Sequence, residues 1–320
     1  MTVNARLEIV APAAFRLDLT VWALRRSPTN RIDAWDGVRW GRCLTVCAEP
    51  VPVVVEQIGS AQAPRLVVHC PVQLAAEAAP CAQIVGQVRE ILGLDTAVEA
   101  FERMAAGDAQ LAPLAARFRG FRPPRLPSVF EALANAVACQ QVSLASGLAL
   151  LGKTAACLAA HASKATPPPF PTPAAVLGAG AQTLRELGWS QRKADYLLGC
   201  AQAVQSGALD AAALAAADDA QAVALLSRLR GIKRWSAQYV ALRGLGRLAV
   251  LPVDDVGAHK HLALWLGRPR LDAAAMQTLT QRWQPYAGMV YFLLLLKRLD
   301  DQGLLGAKDS TLPRTMPTLP

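Results

Sequence analysis

The stretch RGFRPPRLP, Arg119–Pro127, most constrains the fold. Its adjacent prolines remove backbone donors and push the residues before them toward extended conformations, so neither a helix nor a central strand runs through it. The chain therefore reads as two textures. Before the break, RCLTVCAEPVPVVVEQI (Arg42–Ile58) and PRLVVHC (Pro64–Cys70) are β-branched, partly alternating runs. AAPCAQIVGQVREILGL (Ala78–Leu94) instead carries apolar residues at helical intervals. The mixture predicts a small N-terminal α+β domain over residues 1–113.

After the break the period is helical, which makes the chain mainly α. Ser128–Glu131 reads SVFE, a capping box that would satisfy the first amides of a helix. The stripe of that helix is Phe130, Leu133, Val137, Leu144 and Leu148, and Gln140 falls on it. SKATPPPFPTP (Ser163–Pro173) reads as a proline-rich connection. Further helices are predicted over Pro173–Leu187, Arg192–Gln205, Asp210–Ala217, Asp219–Leu229, Val256–Leu266, Ala273–Arg282 and Tyr286–Leu299. The helical part is thus expected over 114–302, with a flexible tail over 303–320.

Composition narrows the function classes. Hydrophobic residues make up 53% and charged ones 18%, enough for a core and against global disorder. Lys plus Arg number 33 against 24 acids, a net charge of +9 that suits a polyanionic partner. The longest strongly apolar run, Met289–Leu296, is far short of the roughly 20 residues needed to span a bilayer. Charges at Glu8, Arg16, Asp18, Arg25 and Arg26 argue against a secretory signal. The seven cysteines lack CxxC spacing, as expected of reduced thiols in a cytoplasmic protein. Asp255 and His259 have a spacing that one metal would tolerate, but no metal site is expected.

The chemistry concentrates in LRGIKRWSAQYVALRGLGRLAVLPVDDVGAHKHL (Leu229–Leu262). Gly231 ends one helix and permits the positive φ of a tight turn. The next helix starts near Lys233, giving a hairpin over about 222–243. Its first amides are unpaired, and with the helix dipole they suit a phosphate. Lys233 and Arg234 add charge beside them, and Arg243 is a further candidate contact or a helix C-terminal charge. An ordinary helix–turn–helix corner has the same spacing. Asp254 and Asp255 both suit a helix N-cap, and their chemistry does not choose between them.

LRGIKRWSA resembles the hairpin of the helix-hairpin-helix DNA glycosylases, in which an essential aspartate follows at the start of a later helix. LPVDDVGAHKHL occupies that place. RPPRLPSVFEALANAVACQQVS, PTPAAVLGAGAQTLRELGWSQRKADYLLGCAQAV and QRWQPYAGMVYFLLLLK make the alkylbase branch, DNA-3-methyladenine glycosylase II, the closer match. The N-terminal ALRRSPTNRIDAWDGVRWGR resembles the α+β domain of that branch. The resemblance implies an all-helical catalytic part in two subdomains with a cleft between. It implies catalysis by Asp255, with Asp254 capping or ordering the loop. Trp235, Gln140, Leu295 and Tyr239 would form the base pocket, although Tyr239 also suits a core aromatic, as do Trp283 and Tyr286. Gln141 would be the wedge that fills the space a flipped base leaves. Gly231, Lys233, Arg234, Trp235 and Ser236 would hold the DNA backbone.

The same resemblance implies a monofunctional base-excision enzyme acting as a monomer on double-stranded DNA with damaged bases, with no membrane partner. Trp235 stands where bifunctional relatives carry a nucleophilic lysine. No organic cofactor is implied; a monovalent cation at the hairpin carbonyls is. Lys233 replaces the hairpin's second glycine and Arg230 its leading proline, and Leu295 replaces an aromatic. The less aromatic pocket keeps deaminated or oxidised bases open as substrates. A non-catalytic DNA-binding protein is the alternative of another class.

Overall fold

The structure, a computed structural model, describes residues 4–75, 77–159 and 167–305. The expected tail beyond 305 and the first part of the proline-rich connection lie outside the described residues. The N-terminal part runs β1 (Asn4–Val10), α1 (Leu17–Arg25), β2 (Ala34–Trp35), β3 (Arg39–Val46), β4 (Glu49–Gly59), β5 (Pro64–Pro71), α2 (Val72–Ala75) and α3 (Ala78–Ile91). The strands form one antiparallel sheet in the order β1-β5-β4-β3-β2. Alternation on β4 turns Val51, Val53 and Val55 inward, toward the apolar face Ile84, Val88 and Ile91 of α3.

Helices follow: α4 (Glu99–Ala106), α5 (Leu111–Arg117), α6 (Val129–Cys139), α7 (Leu144–Leu158), α8 (Pro173–Leu187), α9 (Gln191–Gln205), α10 (Ala211–Ala216) and α11 (Asp219–Ser227). The chain closes with α12 (Arg234–Arg243), α13 (Val256–Trp265), α14 (Ala273–Arg282) and α15 (Ala287–Asp301). Among the described residues no helix is long and apolar enough to cross a membrane.

Two expectations about α6 are corrected. Ser128 Oγ does accept the Glu131 amide at 3.1 Å, but the Glu131 carboxylate does not return to Ser128. It accepts both hydrogen bonds from Arg42 Nη2, at 2.7 and 2.6 Å, because burial makes a guanidinium the stronger partner. Nor does one helix carry the whole stripe. Backbone at Gln140 is extended (φ −61°, ψ 128°), and Ser143 caps a new helix by accepting the Ser146 amide at 3.1 Å. The two helices meet so closely that a Cβ on Gly147 would lie 2.7 Å from Cys139 Sγ. Gln140 and Gln141 therefore sit on a loop between α6 and α7.

Two buried clusters result. One joins the sheet and α3 to α6–α11 and one side of α12. The other joins α1, α4 and α5 to α13–α15, with Leu242 of α12. Residue 113 lies within α5, and α1 packs on α15, so N-terminal helices complete the C-terminal cluster.

Candidate active site

The hairpin forms where the sequence places it. Gly231 has φ 86°, and a Cβ there would lie 2.2 Å from the Tyr196 ring, so only glycine lets the turn rest on α9. Lys233 is the exposed N-cap of α12 and contributes no side-chain cap, leaving the first amides of the helix without that partner. The carbonyl of Leu229 accepts the Ile232 amide and that of Gly231 accepts Gln140 Nε2. Each carbonyl oxygen keeps a second lone pair.

Beside the hairpin opens a cleft of about 1020 Å³. Trp235, Tyr239, Asp255, Tyr291, Leu295 and Gln141 are among the residues that line it. Asp255 is the N-cap of α13, half-buried, and its two oxygens have different partners. Oδ1 accepts the Ala258 amide at 2.9 Å. Oδ2 accepts Trp235 Nε1 at 3.1 Å and the Tyr291 hydroxyl at 3.2 Å. Burial, then the charge of Asp255, pushes the Tyr291 phenol well above its ordinary range, so it remains a donor at neutral pH. Asp254 is exposed at the cleft and holds Arg234 in a bidentate pair, with Nε to Oδ2 at 2.6 Å. That hydrogen bond lowers the Asp254 pKa. The pair ties the hairpin to the turn before α13.

Gln141 is exposed at the loop tip in a left-handed conformation, φ 54°, which thrusts its side chain off the α6–α7 connection. Gln140 lines the cleft, but its amide nitrogen is committed to the hairpin, donating to Gly231 O at 2.9 Å and Ser236 Oγ at 3.0 Å. The face of Tyr239 is likewise occupied: the Arg26 guanidinium lies 5.5 Å above it. Tyr239 also packs against Trp235, with ring centroids 5.7 Å apart. Leu295 lies on the cleft wall, half-buried.

Two backbone-contact candidates have buried side chains. Ser236 is 2% exposed, so its hydroxyl serves Gln140 rather than a phosphate. Arg243 is fully buried and donates to the carbonyls of Ala23 and Leu24 at 2.9 and 3.3 Å, which ties α12 to α1. Trp283 is buried and bonds Asp108, and Tyr286 packs on Phe101. His259 turns its ring to the Val253 carbonyl.

Sequence reasoning missed several cleft residues, four of which bear on the chemistry of the site. Tyr291 and Arg298 lie four residues before and three after Leu295, on one helical face, which was an available signal. Lys193 donates to the last carbonyls of α6, reaching Ala138 O at 2.9 Å, and burial lowers its pKa. Arg26 comes from α1, remote in sequence, and no pattern announced it.

Residues 134–285 match the family model described as HhH-GPD superfamily base excision DNA repair protein. Over that segment the chain is similar to the HhH-GPD superfamily. The 3-methyladenine DNA-glycosylase structure from Archaeoglobus fulgidus superposes on this chain with a TM-score of 0.76 at 26% identity, covering 92% of this chain and 98% of that one. DNA-3-methyladenine glycosylase of Bacillus subtilis is 30% identical over 179 residues, 55% of this chain and 58% of the relative. DNA-3-methyladenine glycosylase 2 of Escherichia coli is 30% identical over 180 residues, 55% and 60% respectively. The matched segment thus spans little more than half the length of these two relatives.

Proposed function

We propose that this protein is a monofunctional DNA glycosylase that hydrolyses the N-glycosidic bond of alkylated bases in duplex DNA. The observation that carries the reading is Asp255, a carboxylate fixed by three donors in the cleft beside the hairpin. The names of the relatives support the substrate class.

A bond inside a stacked duplex is reached only after the nucleotide is extruded, at a cost of about a few kcal/mol that is least for damaged bases. The exposed Gln141 would fill the vacated space. The hairpin amides and Lys233 would grip the strand, with release of counterions. As the base leaves, positive charge develops on the deoxyribose. A carboxylate held in place stabilises that charge without reorganising, and it orients the attacking water. An N-alkylated purine already carries positive charge, so it needs no acid to leave. Trp235 stands at the place where a lyase would need an amine, and its side chain is spent on Asp255.

The test uses duplexes bearing 3-methyladenine, 7-methylguanine, hypoxanthine or 8-oxoguanine, with base release measured and strands analysed before and after alkali. Release with nicks only after alkali is expected. Asp255→Asn should lower turnover by at least about 10²–10³-fold while leaving DNA binding intact. Salt-sensitive binding with no release from any lesion would replace the enzyme by a binding protein. Loss of turnover in Asp254→Asn, with Asp255→Asn active, would move catalysis to the neighbouring carboxylate.

A further inference from the structure

The floor of the cleft is short of anionic acceptors. Arg26 caps α1 in a left-handed conformation, φ 64°, and is 5% exposed. Its Nη2 donates to Asn135 Oδ1 at 2.6 Å, and its carbonyl accepts Arg298 Nη2 at 3.0 Å. The Nε–H groups of Arg26 and Arg298 and the Tyr239 hydroxyl are buried without partners among the described residues. Two carboxylates line the cleft. Asp254 is paired with Arg234, and Asp255 is shared by Ala258, Trp235 and Tyr291. Burial lowers the Arg298 pKa, and the charge of Arg26 acts in the same direction. Unpaired buried donors cost free energy that an entering acceptor would recover.

Resting on the glycosylase reading, the geometry points to Arg298, held by Arg26, as the residue that selects bases presenting an acceptor oxygen to the pocket floor. Purines with a 6-oxo group, 7-methylguanine and hypoxanthine among them, present such an oxygen. 3-Methyladenine presents an exocyclic amino group there, whose hydrogens would meet those of the guanidinium. In DNA, 7-methylguanine and 3-methyladenine carry the same positive charge, so repulsion by the floor largely cancels between them. The chemistry of the edge remains. Arg26 reinforces the effect by covering Tyr239, which removes one aromatic face that a cationic base would otherwise stack on.

The experiment measures release of 3-methyladenine and 7-methylguanine from one digest of methylated DNA, and of hypoxanthine from an oligonucleotide duplex, with the full chain. Using one digest cancels any loss of folded enzyme from the ratio of 7-methylguanine to 3-methyladenine, and the same enzyme sample is used for hypoxanthine. Arg298→Met should lower release of the two 6-oxopurines relative to 3-methyladenine by about 10- to 100-fold, the loss of a hydrogen bond to a charged donor. Arg298→Lys keeps the charge but not the planar fork and should fall between. Equal losses for all three bases, or an unchanged ratio while all are released, would overturn the assignment alone. A wild-type chain that releases none of the three removes the glycosylase reading and this assignment with it.

Discussion

At Asp255 one carboxylate does two jobs with separate oxygens. Oδ1 completes the start of α13, so the residue cannot swing away without uncapping the helix. Oδ2 is aimed by Trp235 and Tyr291. The capping half was legible in the sequence, since aspartate before a helix has that use. The aiming half was not, because Trp235 and Tyr291 stand 20 and 36 positions away along the chain. Tyr291→Phe removes one donor and little volume. Steady-state kinetics should show kcat reduced by about 10-fold with KM nearly unchanged, the pattern of a group that orients the carboxylate rather than holding substrate. An unchanged kcat would mean that Trp235 and the α13 amide suffice.

Among the elements, the hairpin followed its local code and the α6–α7 corner did not. Gly231 announced its turn because no other residue takes positive φ at so little cost. Gly231→Ala should lower unfolding free energy by about 1–3 kcal/mol for the strained backbone, and more if the Tyr196 ring cannot yield. Urea denaturation of Gly231→Ala, alone and combined with Tyr196→Ala, separates the two contributions. A clash that matters appears as partial recovery in the double variant. At the corner, Val137, Leu144 and Leu148 keep a helical spacing straight across the break, so periodicity read one helix where there are two. Ser143 was the signal that competed with the stripe, and its cap won because it satisfies the Ser146 amide in the first turn of α7. The consequence is functional. A loop rather than a helix lets Gln141 project while Gln140 fastens the loop to the hairpin.

Across the whole molecule, buried arginines join segments that the sequence presents as separate. Arg42 reaches from β3 to Asp33 at 2.7 Å and to Glu131 on α6, all three nearly inaccessible. Burial raises the Glu131 pKa despite the neighbouring guanidinium. Arg42→Met leaves two carboxylates without their cation and should cost about 3–5 kcal/mol. The sign of its pH dependence follows. Carboxylates buried without a cation bind protons more tightly in the folded than in the unfolded state, so acidification lessens the penalty. Chemical denaturation at neutral and mildly acidic pH should therefore show the deficit shrinking in acid. A constant deficit would mean that the carboxylates are not the source of the cost.

The helix-rich order, the hairpin, the capping aspartates and the N-terminal sheet all rest on short-range rules of period, turn and cap, and the sequence alone determined them. Its resemblance also singled out Asp255, Trp235, Gln141 and Leu295, which the fold brings to one cleft. Only the tertiary structure decided that Arg26 underlies the pocket, that Tyr291 aims the carboxylate, and that Ser236 and Arg243 are interior. Those roles depend on which distant groups a side chain meets once buried. A buried donor or charge takes whichever acceptor the packing supplies, and no local pattern encodes that partner.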